Sequence, residues 1–183
     1  MIIETKLAMD KNEKKILELL DAAVKEDNIK QHMIGVIQRV EQALENDPKA
    51  LLAWEPIPLS MFQHLLPSEI KSSWVFNLRK NTTTGAERHP NSIQRMMSYK
   101  GNGDFQTKPD SKWESNLLES NFDGEIEQRW ISIPINVWHQ GIVSDENWIV
   151  ISFHTAEVSE LIEERPEDGD ENKLHKQKYI DKH

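Results

Sequence analysis

A chain of 183 residues accommodates one good-sized domain with modest extensions and is too short for two ordinary ones. A formal net charge of -9 disfavours a nucleic-acid partner, which would need a basic stripe, and the absence of cysteine excludes disulfides, zinc ribbons and thiol nucleophiles. Apolar residues at 37%, with 6 Trp, supply a packed core, while a mean hydropathy of -0.66 predicts solubility. No run is long enough to span a bilayer, and the opening MIIETKLAMDKNEK lacks the apolar core of a signal peptide, so a cytoplasmic protein is expected.

In chain order, Asp10 to Asn28 reads as an amphipathic helix, with Ile16, Leu17, Leu19, Leu20, Ala23 and Val24 at helical spacing and Asp10 or Asn12 as its cap. A second helix, capped by Asn28, carries the stripe Ile29, Met33, Val36, Ile37, Val40, Ala43 and Leu44, and Asn46-Asp47-Pro48 stops it. The two form a helical hairpin over residues 1–48 whose apolar faces need a partner, either the main domain or a second subunit. Trp54, Pro56 and Pro58 then suit an extended edge segment, and Phe62 to Leu66 a short helical turn.

Strand-like runs follow at Ser73–Leu78, Ile93–Tyr99, Glu125–Ile133 and Trp148–His154, separated by turn signals at Gly101–Asp104 and Phe122–Glu125. Their density predicts an all-β sandwich or barrel over residues 49–162. The charged segment 163–183 is expected to be a disordered tail. Strand parity places Gln94, Met96 and Ser98 on one face and Arg95 and Met97 on the other; Trp148, Val150, Ser152 and His154 likewise share a face.

Chemistry concentrates in NTTTGAERHPNSIQRMMSYKG, Asn81 to Gly101, which holds Glu87, His89 and Gln94. A second block, Ile131 to Gln140, adds His139. Two histidines and a carboxylate brought together by a fold can hold a divalent metal and leave positions open to substrate.

These segments resemble the two motifs of the cupin superfamily. In the first, G(X)5HXH(X)3,4E(X)6G, Asn81 stands at the opening glycine and Glu87 at the first histidine. His89 matches the second histidine, Gln94 takes the glutamate position and Gly101 the closing glycine. In the second, G(X)5PXG(X)2H(X)3N, Pro134 and His139 match, whereas Gln128, Asn136 and Val143 replace the two glycines and the asparagine. The resemblance covers Trp74 to His154. It implies a mainly β fold, a double-stranded β-helix or jelly-roll barrel, here preceded by the α-helical hairpin.

It also implies a divalent transition metal, Fe(II) before Zn, Mn or Ni, held by Glu87, His89 and His139, with Gln94 as a fourth ligand, a hydrogen-bond partner behind the ligands or a substrate contact. His154 is a candidate acid–base residue; Met96, Arg129 and Trp148 are candidate substrate contacts, with Arg79 a second arginine able to anchor an anion. A homodimer is expected. One functional reading is a non-haem dioxygenase acting on a small organic molecule, loosely similar in layout to the thiol dioxygenases. The others are a sugar or keto-acid isomerase, and a metal-free cupin that binds a small ligand or serves assembly, which the exchange of one histidine and the glutamate for Glu87 and Gln94 favours.

Overall fold

The computed structural model describes residues 10–181. Two helices lead: α1 (Lys11–Lys25) and α2 (Asp27–Asn46). Asp10 caps α1 by accepting from the Asn12 amide. The cap position of α2 is Glu26, without a side-chain bond, so Asn28 lies inside the first turn rather than at the cap. Leu17, Leu20, Ala23 and Val24 of α1 and Ile29, Met33, Val36, Val40 and Leu44 of α2 are buried, most of the stripes that the periodicity predicts, whereas Leu19 and Ala43 of those stripes are exposed. No helix among the described residues is long and apolar enough to cross a membrane.

Among the described residues ten strands follow: β1 (Leu52–Pro56), β2 (Ser72–Leu78), β3 (Gln94–Lys100), β4 (Asn102–Lys108), β5 (Leu117–Glu119), β6 (Trp130–Ile133), β7 (Trp138–Val143), β8 (Trp148–His154), β9 (Ile162–Glu167) and β10 (Asp170–Lys178). They pair antiparallel in a five-stranded sheet ordered β1-β2-β8-β3-β6, a three-stranded sheet ordered β5-β4-β7 and the hairpin β9–β10. The protein is thus mainly β with a helical pair in front, and the described strands close no single hydrogen-bonded barrel.

The five-stranded sheet is covered on both faces, which is why β2 and β8 are buried at every position. Val75, Met97, Ile149, Ile151 and Phe153 face the helices and join their core. Trp74, Phe76, Met96, Ile131, Trp148 and Val150 face the other way, against Phe105, Leu118 and Val143 of the smaller sheet. The predicted parity of β3 and β8 is the observed one: Met96 and Met97 fall in different cores.

Three expectations change. The Gly101–Asp104 turn is only its first residue: Gly101 has φ +87, and β4 begins at Asn102. The run Glu125–Ile133 is split, with a 3₁₀ turn at Ile126–Gln128 before β6. Segment 163–178 is a β-hairpin rather than a disordered tail. Asp168 and Gly169, at φ 50 and 79, make its turn, and Glu163, Glu164 and Tyr179 are buried.

Candidate metal centre

Glu87 and His139 sit opposite each other on an isolated antiparallel bridge and exchange both backbone hydrogen bonds, at 2.9 and 2.8 Å. His89, two residues beyond Glu87, lies on the same side of the extended chain. One ligand atom each from Glu87, His89 and His139 falls within 4.8 Å of the others, and all three residues are buried. The two imidazole rings stand 5.2 Å apart.

The tautomers follow from the hydrogen bonds. His89 Nδ1 lies 2.8 Å from the Ile162 carbonyl and His139 Nδ1 3.0 Å from the Val137 carbonyl. A carbonyl only accepts, so each Nδ1 carries a proton, and Nε2 is the nitrogen that each ring in its neutral form would offer to a cation. His139 Nε2 is buried with no hydrogen-bond partner, and its nearest charged neighbour is Glu87 Oε1 at 3.5 Å. Two imidazole lone pairs beside one carboxylate oxygen, with Nδ1 protons held on carbonyls, is a donor set that fits a divalent cation.

Glu87 is also charge-paired on its other side. Glu87 Oε2 accepts from Arg165 Nη2 at 2.5 Å, and Arg165 Nε donates to Glu163 Oε1 at 2.7 Å. Two buried carboxylates thus share one guanidinium. Burial disfavours the charged arginine, but the two carboxylates outweigh that and raise its pKa. Tyr179, packed edge-on to His89 with centroids 5.2 Å apart, has its phenol pushed well up by burial and then by Glu87 and Glu163. It is a neutral hydroxyl at any ordinary pH.

His154 adjoins the triad, its ring 5.1 Å from that of His89, with Ser92 Oγ at 3.4 Å from Nδ1 and Ser152 Oγ at 3.2 Å from Nε2. Gln94 is paired with His154 across β3 and β8, is buried on the same face, and its Oε1 has no hydrogen-bond partner. Met96 is one step further along, in the core. Trp148 donates to Ser98 Oγ at 2.8 Å and adjoins Phe105, whose ring contacts both Trp148 and His139. It belongs to the core.

Arg129 is not at the site. Its guanidinium is buried on the helical side, bonded to both oxygens of Asp21 at 2.8 Å and to the Asn121 and Gly124 carbonyls. Arg79 bonds the Leu44, Asp47 and Ala50 carbonyls at the end of α2. Both arginines are thus engaged on the helical side, away from the triad. Two surface hollows of about 340 and 450 Å³ are lined mainly by charged residues, and neither includes a member of the triad.

The sequence reading missed Glu163, Arg165 and Tyr179, which lie in the charged stretch set aside as a tail. Asp168-Gly169, a hairpin signal between residues of alternating polarity, was the mark that could have found them.

No protein-family model and no curated protein matches the chain. Similar solved structures include cupin-fold proteins. An oxalate oxidase in complex with the substrate analogue glycolate aligns at 13% identity and a TM-score of 0.45, over 59% of this chain and 52% of that one. A salicylate 1,2-dioxygenase from Pseudoaminobacter salicylatoxidans aligns at 12% and 0.48, over 66% and 31%. KdgF from Halomonas sp. aligns at 9% and 0.43, over 61% and 86%. The chain spans about half the length of the oxalate oxidase.

Proposed function

We propose that the protein is a non-haem metal-dependent dioxygenase that acts on a small organic molecule, with Fe(II) held by Glu87, His89 and His139. The observation that carries this reading is the buried, unpartnered Nε2 of His139 beside a carboxylate oxygen, in a set of three donors within 4.8 Å. A buried acceptor without a partner is costly, and a cation relieves it. A two-histidine, one-carboxylate set suits ferrous iron and leaves open positions for dioxygen chemistry. Beside it Phe105, stacked on His139, supplies an apolar wall, while Gln94 Oε1 can accept from a substrate N–H or O–H. In this reading His154, which lies between two serine hydroxyls, takes or returns a proton at the substrate.

A second reading has its own observation. Glu87 is already neutralised by Arg165, as expected if the fold holds a ligand without metal. Elemental analysis of untagged protein, reconstituted with Fe(II) under anaerobic conditions, separates the two. About one metal per chain, lost in His139→Ala, supports the metal centre, and oxygen uptake in a screen of thiols, diketones and phenols then tests the reaction. A folded protein that takes up no iron, manganese, nickel or zinc overturns it in favour of the metal-free module.

A further inference from the structure

The strand β9 stands behind two of the three candidate ligands. Its Ile162 carbonyl receives the Nδ1 proton of His89, and three residues on Arg165 reaches Glu87. Every nitrogen of that guanidinium is engaged: Nη2 with Glu87 Oε2 at 2.5 Å, Nε with Glu163 Oε1 at 2.7 Å and Nη1 with the Thr84 carbonyl at 3.1 Å. Both anchors are themselves held. Gln177 of β10 donates to Glu163 Oε1 at 3.1 Å, and Thr84 exchanges hydrogen bonds with Gly141 of β7, at 2.9 and 3.0 Å. A planar fork fixed at three points has one orientation, which a flexible ammonium would not have.

A carboxylate binds a cation through one oxygen or two. Here the fork occupies Oε2, and Oε1 alone faces His139 Nε2. We propose that Arg165 is a positioning residue that fixes Glu87 as a one-oxygen ligand, and that metal binding is thereby coupled to docking of the β9–β10 hairpin. This rests on the metal reading above. It goes beyond that reading in making the C-terminal hairpin part of the centre: what orders the hairpin tightens the metal, and by reciprocity the metal orders the hairpin.

The test is a Co(II) titration of metal-free wild-type protein, Arg165→Met and Arg165→Lys, followed by calorimetry and by the visible bands of the bound ion. Arg165→Met is expected to weaken Co(II) binding about 10- to 100-fold, the usual range for a group behind a ligand, and to shift the bands as Glu87 becomes free to use both oxygens. Arg165→Lys is expected to recover part of the affinity, since an ammonium can still hold Glu87 Oε2 through one hydrogen bond, without the fork. In wild type, Co(II) is expected to slow amide exchange across residues 162–167. Lysine and wild-type protein decide the matter if Arg165→Met does not fold. Wild-type affinity and bands in both variants, or exchange at residues 162–167 that is indifferent to Co(II), would overturn the proposal while leaving the metal centre standing. A wild-type protein that binds no Co(II) would overturn both.

Discussion

Gln94 and His154 are direct partners across β3 and β8, on the interior face of the five-stranded sheet, yet Gln94 Oε1 has no hydrogen-bond partner there. A buried acceptor left unpaired costs about 1–3 kcal/mol, which an apolar residue of the same shape avoids. Gln94→Met is therefore expected to leave stability unchanged or raise it by about 1 kcal/mol, to retain metal, and to weaken turnover or ligand binding. Thermal unfolding and metal content check this together. Loss of metal in Gln94→Met would instead make Gln94 a ligand.

On the opposite face of the sheet, Asp21 of α1 accepts from Arg129 at both oxygens and from Trp130 Nε1 at 2.8 Å. Asp21 and Arg129 are both buried. Removing one partner leaves the other as an uncompensated charge, which typically costs about 3–5 kcal/mol. Asp21→Ala is expected to lose that much in urea unfolding. The double variant Asp21→Ala, Arg129→Met should be less damaged than Asp21→Ala alone, because no buried charge is then left over. If the double variant is worse, the pair contributes more than the avoidance of an orphan.

How much of this was legible in the sequence depends on who does the holding. The helices and β2, β3 and β8 could be read because their own residues carry the period: Trp148 to His154 is a strand on its pattern alone, and it is the observed one. The grouping of Glu87, His89 and His139 followed from spacing that resembles a known motif. Arg129 was misjudged because its partner, Asp21, is 108 residues away on a helix, and no local pattern shows that a guanidinium is already satisfied. Arg165 and Glu163 were passed over for the converse reason: a run rich in charge looks solvated until a distant carboxylate such as Glu87 is placed beside it.

The same helix-side network sets a pH dependence. Burial opposes the charged form of Asp21, but hydrogen bonds from Arg129, Lys25 and Trp130 outweigh it and hold its pKa below the ordinary 3.8. Glu13 is held below 4.5 by Arg95 and Ser132 against the same desolvation. In both cases the unfolded chain takes up a proton first as pH falls, so the stability these groups contribute is present above about pH 4.5 and drains away through and below pH 4. Urea midpoints between pH 6 and pH 3 should fall along an acid limb that Asp21→Asn makes shallower. An unchanged limb in that variant would place the acid sensitivity elsewhere.

Gly103 is required by packing and not by backbone conformation. A Cβ there would lie 2.4 Å from two ring carbons of Trp148 and 2.9 Å from the Ile142 carbonyl. The indole has little room to retreat, because its Nε1 is tied to Ser98 Oγ at 2.8 Å and its ring is buried against Phe105. Gly103→Ala is expected to cost about 1–3 kcal/mol by overpacking, a loss of several degrees in Tm for a chain of this size. Ser98→Ala frees the indole at the cost of one hydrogen bond, so the double variant should lose less than the sum of the two single losses. Strict additivity would mean that the tether to Ser98 does not hold the ring in place, and that the clash at Gly103 is relieved by movement of β4 instead.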